Sequence, residues 1–441
     1  MSTPSSRPRP HGDDLAPRVV VTGIGLSTAL GWSREDTWRG IREGRSAARV
    51  LDGPPPQDGP PHAGYPLPEH PPAGRDQGRD ASPPDPVHPL LESLSLSAAD
   101  DARLSVGPGC LDPTRVGTLI GLSKGCVHGL ARLHAMVRDP GSDPGTIARL
   151  WMSSWPGAGA SLVSGLLGLR GPSLAPVAAC ATGLVAVLEG AELIRRGTCD
   201  VVLAGSADAS LEPMLLAAFR RMKVLARVDD DPARAVRPWD RGRSGFLVGE
   251  GGAILVLERD DHARARGARP YAEVAGGALG SDAHHATDLD PDPSGLARVI
   301  GQALRRAGVP APEIDHVNVH GTATRLNDPL ECRSLRLALG AQAGRVACSA
   351  NKGQIGHLLG AAGAAELAIA CLAIRDGFVP PTVNLTDPDP ACDLDGTPGI
   401  GRELPIRAAL KLSIGFGGHL AAIVLRRPRD PRREPGGTPH G

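Results

Sequence analysis

Short apolar runs alternate along this chain with longer stretches in which apolar residues recur every three or four positions. The runs Val19–Thr22, Val116–Ile120, Val201–Ala204, Ala253–Leu257, Tyr271–Ala275, His316–His320 and Ala421–Leu425 predict strands. The periodic stretches Arg34–Gly44, Gly183–Gly197, Leu296–Ala307, Pro329–Leu337 and Leu359–Arg375 predict helices. Short strands alternating with helices imply an α/β architecture. A charged, helix-like stretch at Arg259–Arg269 separates two strand runs. The pattern fades in three places. Residues 1–17 and 428–441 are rich in Pro, Arg and Gly and read as disordered tails. Residues 52–89 hold thirteen prolines, too many for a helix or a central strand. They read as a long surface loop of polyproline character, a neutral spacer rather than a binding motif.

Composition narrows the possible classes. The 441 residues suffice for two core-sized units. Lys plus Arg and Asp plus Glu each number 48, so no global field favours nucleic acid. An aromatic content of 2% leaves little surface for stacking on bases. No apolar run is long enough to span a bilayer, and residues 1–17 lack the apolar core of a signal peptide. The expectation is a cytoplasmic chain that engages neither membrane nor nucleic acid. Eight cysteines are scattered without a CxxC pair, which argues for reduced thiols and against a zinc site or a disulfide framework.

One cysteine stands apart. Cys180 lies in Val177-Ala178-Ala179-Cys180-Ala181-Thr182-Gly183, directly before the helix predicted from Gly183. Free N–H groups and the positive end of the helix dipole favour thiolate there. Taken alone, a cysteine is as a rule a small buried hydrophobe, and a lone histidine a hydrogen-bonded structural group. Two histidines in Gly-rich loops, His320 in His320-Gly321-Thr322 and His357 in Gly356-His357-Leu358, change the picture. An activated cysteine with two loop histidines suits acyl transfer. Two other motifs carry less. Thr22-Gly23-Ile24-Gly25 follows a strand as a dinucleotide loop would, yet Thr28 occupies the third glycine position. His284-His285 has no evident third ligand, and adjacent strand residues point opposite ways. No catalytic metal and no redox cofactor is expected.

Further segments set these residues in a familiar order. Arg18-Val19-Val20-Val21-Thr22-Gly23-Ile24-Gly25 comes first, then Arg237-Pro238-Trp239-Asp240 with Gly245-Phe246-Leu247-Val248-Gly249-Glu250-Gly251. His320-Gly321-Thr322-Ala323-Thr324 follows, with Asn327-Asp328 and Glu331. Asn351-Lys352-Gly353-Gln354-Ile355-Gly356-His357-Leu358-Leu359-Gly360 and Gly415-Phe416-Gly417-Gly418 close the series. From about Arg18 to about Leu425 the chain thereby resembles the β-ketoacyl-[acyl-carrier-protein] synthases of the elongating, decarboxylating type. The resemblance implies a thiolase-like fold, two pseudo-symmetric α/β halves, residues 18–260 with the nucleophile and residues 261–427 with both histidines, and the Arg259–Arg269 stretch fits the boundary between them. It implies Cys180 as the acyl-bearing nucleophile, His320 and His357 as donors to a malonyl-derived enolate, and Phe416 as both oxyanion N–H and aromatic gate. Lys352 and Glu331 are expected to pair and hold the histidine loops, with Asp328 in support one helical turn before Glu331. Thr322 and Thr324 match hydroxyls that bind a phosphopantetheine arm, although turn-forming threonines fit them equally well on local grounds. The expected partners are an acyl carrier protein, which brings the phosphopantetheine, and a second subunit, identical or different. Arg220, Arg221 and Lys223 are candidates for docking an acidic carrier, and a solvated face explains them as readily.

The chain also departs from that pattern. His419 and Leu420 stand where the family usually has threonine and asparagine, which puts the bracing of the Gly-rich loop in doubt, with His419 as a possible substitute. Ile414 replaces a common phenylalanine before the gate, and the proline-rich stretch replaces a structured segment. These differences suit a specialised, polyketide-like or unusual fatty acyl pathway. A non-catalytic partner subunit is the competing reading, which Cys180 opposes. A thiolase would need a cysteine after the Gly-rich loop, and the last one, Cys392, precedes it. Initiating synthases of this fold carry asparagine where this chain has its second histidine.

Overall fold

The computed structural model describes residues 17–52, 62–69, 85–107 and 110–429. Five strands come from the N-terminal half: β1 (Val19–Thr28), β2 (Val116–Gly121), β3 (Ser173–Leu174), β4 (Val201–Asp208) and β5 (Gly251–Arg259). Five come from the C-terminal half: β6 (Ala272–Ser281), β7 (Ile314–Asn318), β8 (Ala347–Ser349), β9 (Ala408–Gly415) and β10 (His419–Arg426). They lie in the order β8-β7-β9-β10-β6-β1-β5-β4-β2-β3. Read outward from the β6–β1 seam, the two halves repeat each other. β1–β5 and β5–β4 are antiparallel, β4–β2 and β2–β3 parallel. β6–β10 and β10–β9 are antiparallel, β9–β7 and β7–β8 parallel. The seam itself is narrow, with Val20 opposite Glu273 and Val21 opposite Ala272. This is the pair of pseudo-symmetric α/β halves expected from the sequence.

The helices complete five layers. They are α1 (Arg34–Arg42), α2 (Val87–Asp101), α3 (Val127–Arg138), α4 (Pro144–Ser153), α5 (Ala158–Leu167), α6 (Thr182–Arg195), α7 (Pro213–Arg221), α8 (Asp260–Ala265), α9 (Ser294–Ala307), α10 (Asn327–Leu339), α11 (Lys352–Ile355) and α12 (Ala362–Asp376). α6 and α12 pack on each other between the two halves of the sheet, α2 and α5 cover the first half outside, and α9 and α10 cover the second. Sequence explains these placements. α9 buries Leu296, Val299, Ile300, Ala303, Leu304 and Ala307, one stripe of a two-faced helix, and stops at left-handed Gly308. α12 is buried all round up to Ile374, as its almost uniformly apolar Ala362–Ile374 requires. Its Leu367, Ile369, Leu372 and Ile374 each contribute about 1.5–3 kcal/mol by burial. Among the described residues no helix is long and apolar enough to cross a membrane.

Several expectations change. β1 runs through Gly23 and Gly25 to Thr28. A Cβ at Gly23 or Gly25 would fall 2.3 Å from the Ala98 carbonyl oxygen or 1.9 Å from that of Leu94, so these glycines admit α2 against the strand. The proline-rich stretch is not a surface loop throughout. Its central Ala63–Gly64 pairs with Arg49–Val50, and Tyr65 is fully buried with its hydroxyl donating to the Gly353 carbonyl at 2.9 Å. From Val87 the chain is already in α2, which Pro89 tolerates because it lies in the first turn. Residues 53–61 and 70–84 of that stretch, and both segments read as tails apart from Pro17, Pro428 and Arg429, lie outside the described residues.

Candidate active site

Each half has the same turn before its central helix. Ala179–Ala181 is a 3-10 turn leading into α6, and Leu359–Ala361 one leading into α12. Ala179 and Leu359 both have φ of +46°, a costly conformation for residues with a side chain. Surroundings hold them there. Thr182 Oγ1 accepts the Ala178 N–H at 2.9 Å and donates to the Ala179 carbonyl at 2.7 Å. Close crossing of α6 and α12 depends on glycine, since a Cβ on Gly183 or Gly363 would come within 2.8 Å of Ala364 or Leu184. The first turn presents Cys180. The second follows His357, whose Nδ1 accepts the Leu359 N–H at 3.2 Å.

The Gly-rich loop closes over Cys180. A Cβ on Gly415 would sit 2.6 Å from the Ala178 carbonyl oxygen and 3.2 Å from the Cys180 nitrogen, so the end of β9 abuts the nucleophile turn. Phe416 directs its backbone N–H to the Cys180 sulfur. Bracing of this loop comes from the β9–β10 hairpin and from the Asp282 N–H, which donates to the Gly418 carbonyl at 3.1 Å. Leu420 is buried in the C-terminal outer core. The substitution feared at positions 419 and 420 is thus met by backbone, not by the His419 side chain.

A cavity of about 810 Å³ opens onto this point, lined by Cys180, His320, His357, Phe416, Thr322 and Thr324 among others. The His320 and His357 rings meet edge to face at 5.4 Å, and Phe246 packs against His357 at 4.8 Å. His320 leaves the end of β7. Its Nδ1 lies 3.5 Å from the Lys352 ammonium, a donor only. In both rings Nδ1 is therefore the acceptor and Nε2 carries the proton. Burial and the charge of Lys352 hold both histidines well below the ordinary imidazole range, so both are neutral. Thr322 and Thr324 face the cavity together, their hydroxyls 2.9 Å apart. The chain between them is no extended loop, because Ala323 has φ of +60°.

The expected Lys352–Glu331 pair is absent, and two different contacts replace it. Glu331, on α10, accepts the His320 N–H and, at 2.9 Å, the Gly321 N–H, so it holds the His320 loop through backbone. Lys352 instead donates to Glu366 of α12 at 2.7 Å and to the His320 carbonyl. A second lysine, Lys411 of β9, meets the other Glu366 oxygen at 2.5 Å. Asp328 accepts the Trp239 N–H at 2.9 Å and so fixes the Arg237-Pro238-Trp239-Asp240 segment. Sequence reading overlooked Glu366 and Lys411. The signal was there: each is the one charged residue in an apolar run, Ala361–Ile374 and Ala408–Gly415.

The thiol also behaves differently from its expectation. Burial pushes Cys180 up to about 11, with Lys124 and Lys352 acting in the opposite direction. Lys124 is itself tied to Asp208 at 2.6 Å, and Asp208 accepts the Gly360 N–H at 3.2 Å. Desolvation outweighs both lysines and the Phe416 N–H. Alkylation of Cys180 by iodoacetamide, followed by mass spectrometry, is expected to accelerate about tenfold per pH unit from pH 7 to 9. A plateau beginning near pH 6.5 would show a resting thiolate and reverse this reading.

The remaining candidates lie outside this centre. His285 is at the cavity mouth, its Nδ1 accepting the Asp288 N–H at 3.1 Å, in a turn rather than a strand. Lys223 lines the same mouth with Arg227 and Arg325, all exposed. Arg220 turns instead to His62, 3.3 Å away.

Residues 16–263 match the model of the β-ketoacyl synthase N-terminal domain, and residues 271–386 that of its C-terminal domain. The chain is 38% identical over 423 residues to the tetracenomycin polyketide synthase ketoacyl synthase alpha subunit of Streptomyces glaucescens, covering 94% of this chain and 98% of that one. It is 37% identical over 422 residues to a 3-oxoacyl-[acyl-carrier-protein] synthase 2 of Rhizobium meliloti, covering 93% and 99%. The solved ishigamide ketosynthase/chain length factor superposes with a TM-score of 0.83 at 33% identity, covering 94% of this chain and 100% of that one. With the pseudo-symmetric fold, and with a cysteine and two histidines meeting in one cavity, the conclusion is that the chain belongs to the β-ketoacyl synthase family of acyltransferases, the condensing enzymes of fatty acid and polyketide synthesis.

Proposed function

We propose that this protein extends an acyl chain held on Cys180 by decarboxylative condensation with malonyl-carrier protein. In the first step the Cys180 thiol attacks the carbonyl carbon of an acyl thioester, giving up its S–H proton to the departing sulfur. The oxyanion is met by the N–H groups of Cys180 and Phe416, and the carrier's pantetheine thiol leaves with the proton. In the second, malonyl thioester enters past Thr322 and Thr324. His320 and His357 donate Nε2–H to its carbonyl oxygen while the bond to the carboxylate breaks and carbon dioxide leaves. The enolate carbon then attacks the acyl carbon, the bond to sulfur breaks, and Cys180 is restored. The observation that carries this reading is the pair of neutral imidazoles, each with its free N–H on the ring edge away from its Nδ1 partner, in the cavity that holds Cys180. The same convergence favours a catalytic chain over a non-catalytic partner subunit. The test is incubation with acyl- and malonyl-carrier protein. A β-ketoacyl-carrier product and carbon dioxide in equal amounts are expected, and neither product at any chain length would refute the reading.

The exposed cations at the cavity mouth, Lys223, Arg227 and Arg325, suit the acidic carrier, with Arg220 and Arg221 at the end of α7 nearby in sequence. A second subunit is proposed from the sheet edge. In the C-terminal half, edge strand β8 is capped by its Cys348 N–H on the Asp395 carbonyl at 2.8 Å. Its counterpart β3 is exposed, with its Leu174 and the nearby Val177 both half-exposed. Such an edge pairs readily with another chain. Leu174→Lys is expected to shift the protein from dimer to monomer in light scattering at micromolar concentration. An unchanged dimer would place the interface elsewhere.

A further inference from the structure

The reaction outlined above leaves one buried cation without a role. Lys411 and Glu366 are each at most 1% exposed. Glu366 is bridged, with Lys352 on Oε1 at 2.7 Å and Lys411 on Oε2 at 2.5 Å. Both ammonium groups also hold the strand exit that carries His320. Lys411 donates to the Val319 carbonyl at 3.2 Å, and Lys352 to that of His320 itself. One lysine would neutralise one carboxylate. A second buried ammonium costs free energy, and Glu331, the other buried carboxylate facing it, is occupied by the His320 and Gly321 N–H groups. That ammonium lies against the histidine whose N–H would meet the enolate.

We infer that Lys411 is a positioning residue for decarboxylation: it pins Val319 and the Glu366–Lys352 pair so that His320 keeps its aim, and its charge favours the enolate over the neutral thioester. The inference rests on the condensing reaction proposed above. The groups facing Lys411 are Glu366 on α12, Lys352 on α11, Glu331 on α10, His316 on β7, and His320 and His357 beyond it. Burial holds Lys411 below the ordinary lysine value, and its charge joins that of Lys352 in keeping His320 and His357 neutral. Acyl transfer to Cys180 uses neither histidine as an enolate donor, so the two half-reactions separate the roles.

Lys411→Gln keeps a hydrogen-bond donor and loses the charge, whereas Lys411→Arg keeps the charge and does not titrate. Acylation of Cys180, read by intact mass, is expected to stay within about threefold in Lys411→Gln, while carbon dioxide release from malonyl-carrier protein falls about 10- to 100-fold. Lys411→Arg restores most of that release. In wild type the release declines at alkaline pH with a midpoint below the ordinary lysine value of about 10.4, and Lys411→Arg lacks that limb. Equal losses in both half-reactions, full release in Lys411→Gln, or an alkaline limb that persists in Lys411→Arg and so belongs to Lys352 would each overturn the inference. If Lys411→Gln does not fold, as a thermal melt would reveal, the wild-type and Lys411→Arg pH profiles decide. If wild type neither acylates nor decarboxylates, the condensing reading fails, and this inference falls with it.

Discussion

Cys180→Ala is expected to abolish the covalent acyl adduct and to lower condensation by about 10⁴-fold or more, the largest effect of any single change. The geometry gives the reason. Cys180 sits at the head of α6 with the Phe416 N–H on its sulfur and both histidines in the same cavity. Alanine leaves the turn intact, because the strained Ala179 and the hydrogen bonds of Ala178 and Ala179 to Thr182 involve no cysteine side chain. The melting temperature should therefore change little while the chemistry disappears. Intact mass after incubation with acyl-carrier protein, followed by peptide mapping, is the check. Seven other cysteines are present, and Cys110 is the exposed one among them, so an adduct there would be adventitious. An adduct of undiminished rate on Cys180→Ala would move the nucleophile to another residue and dismantle the proposed first step.

Removal of either imidazole should damage the second step selectively. His320→Ala or His357→Ala deletes one donor to the developing enolate, and carbon dioxide release is expected to fall about 10²- to 10³-fold, with acylation of Cys180 far less affected. The two losses should combine to less than their product, because both donors serve one oxygen and each depends on Lys352. The pH dependence follows from charge. Both rings are buried beside Lys352, which pushes their protonation well below the ordinary value. Neutral imidazoles then persist as pH falls through about 6.5, and no acid limb is expected at that value. An acid limb centred there, lost in either variant, would mean that an imidazolium takes part and would contradict the neutral-donor geometry.

Much of the site was legible one residue at a time. Cys180 before a helix, His320 and His357 in Gly-rich loops, and Lys352 in an uncharged run are local signals. What the lysine paired with was not. Glu331 lies 21 positions before Lys352 and Glu366 lies 14 after it, and both are buried carboxylates. The choice falls to Glu366 because α10 points Glu331 at the His320 and Gly321 backbone, whereas α12 carries Glu366 between two lysines. Among the strands, β1 was read too short because Gly23 and Gly25 break the apolar alternation, and β9 was passed over because Lys411 interrupts it. Helices α2 to α5 were not anticipated at all. α2 begins inside a proline-rich stretch, and α4 and α5 have modest apolar stripes beside half-exposed Trp151, Met152 and Trp155.

Sequence alone determined the alternation of strands and helices and the residue types that carry acyl-transfer chemistry. These depend on apolar period and on side-chain chemistry, which each residue brings with it wherever it lies. Only the tertiary structure decided the protonation of Cys180, the tautomers of the two histidines and the partner of Lys352. Each is set by burial and by groups far away in the chain. Desolvation outweighs both lysines and the Phe416 N–H at Cys180, the Leu359 N–H selects the proton position on His357, and Lys352 does so on His320. Such choices arise when strands and helices from both halves converge, so no local pattern encodes them.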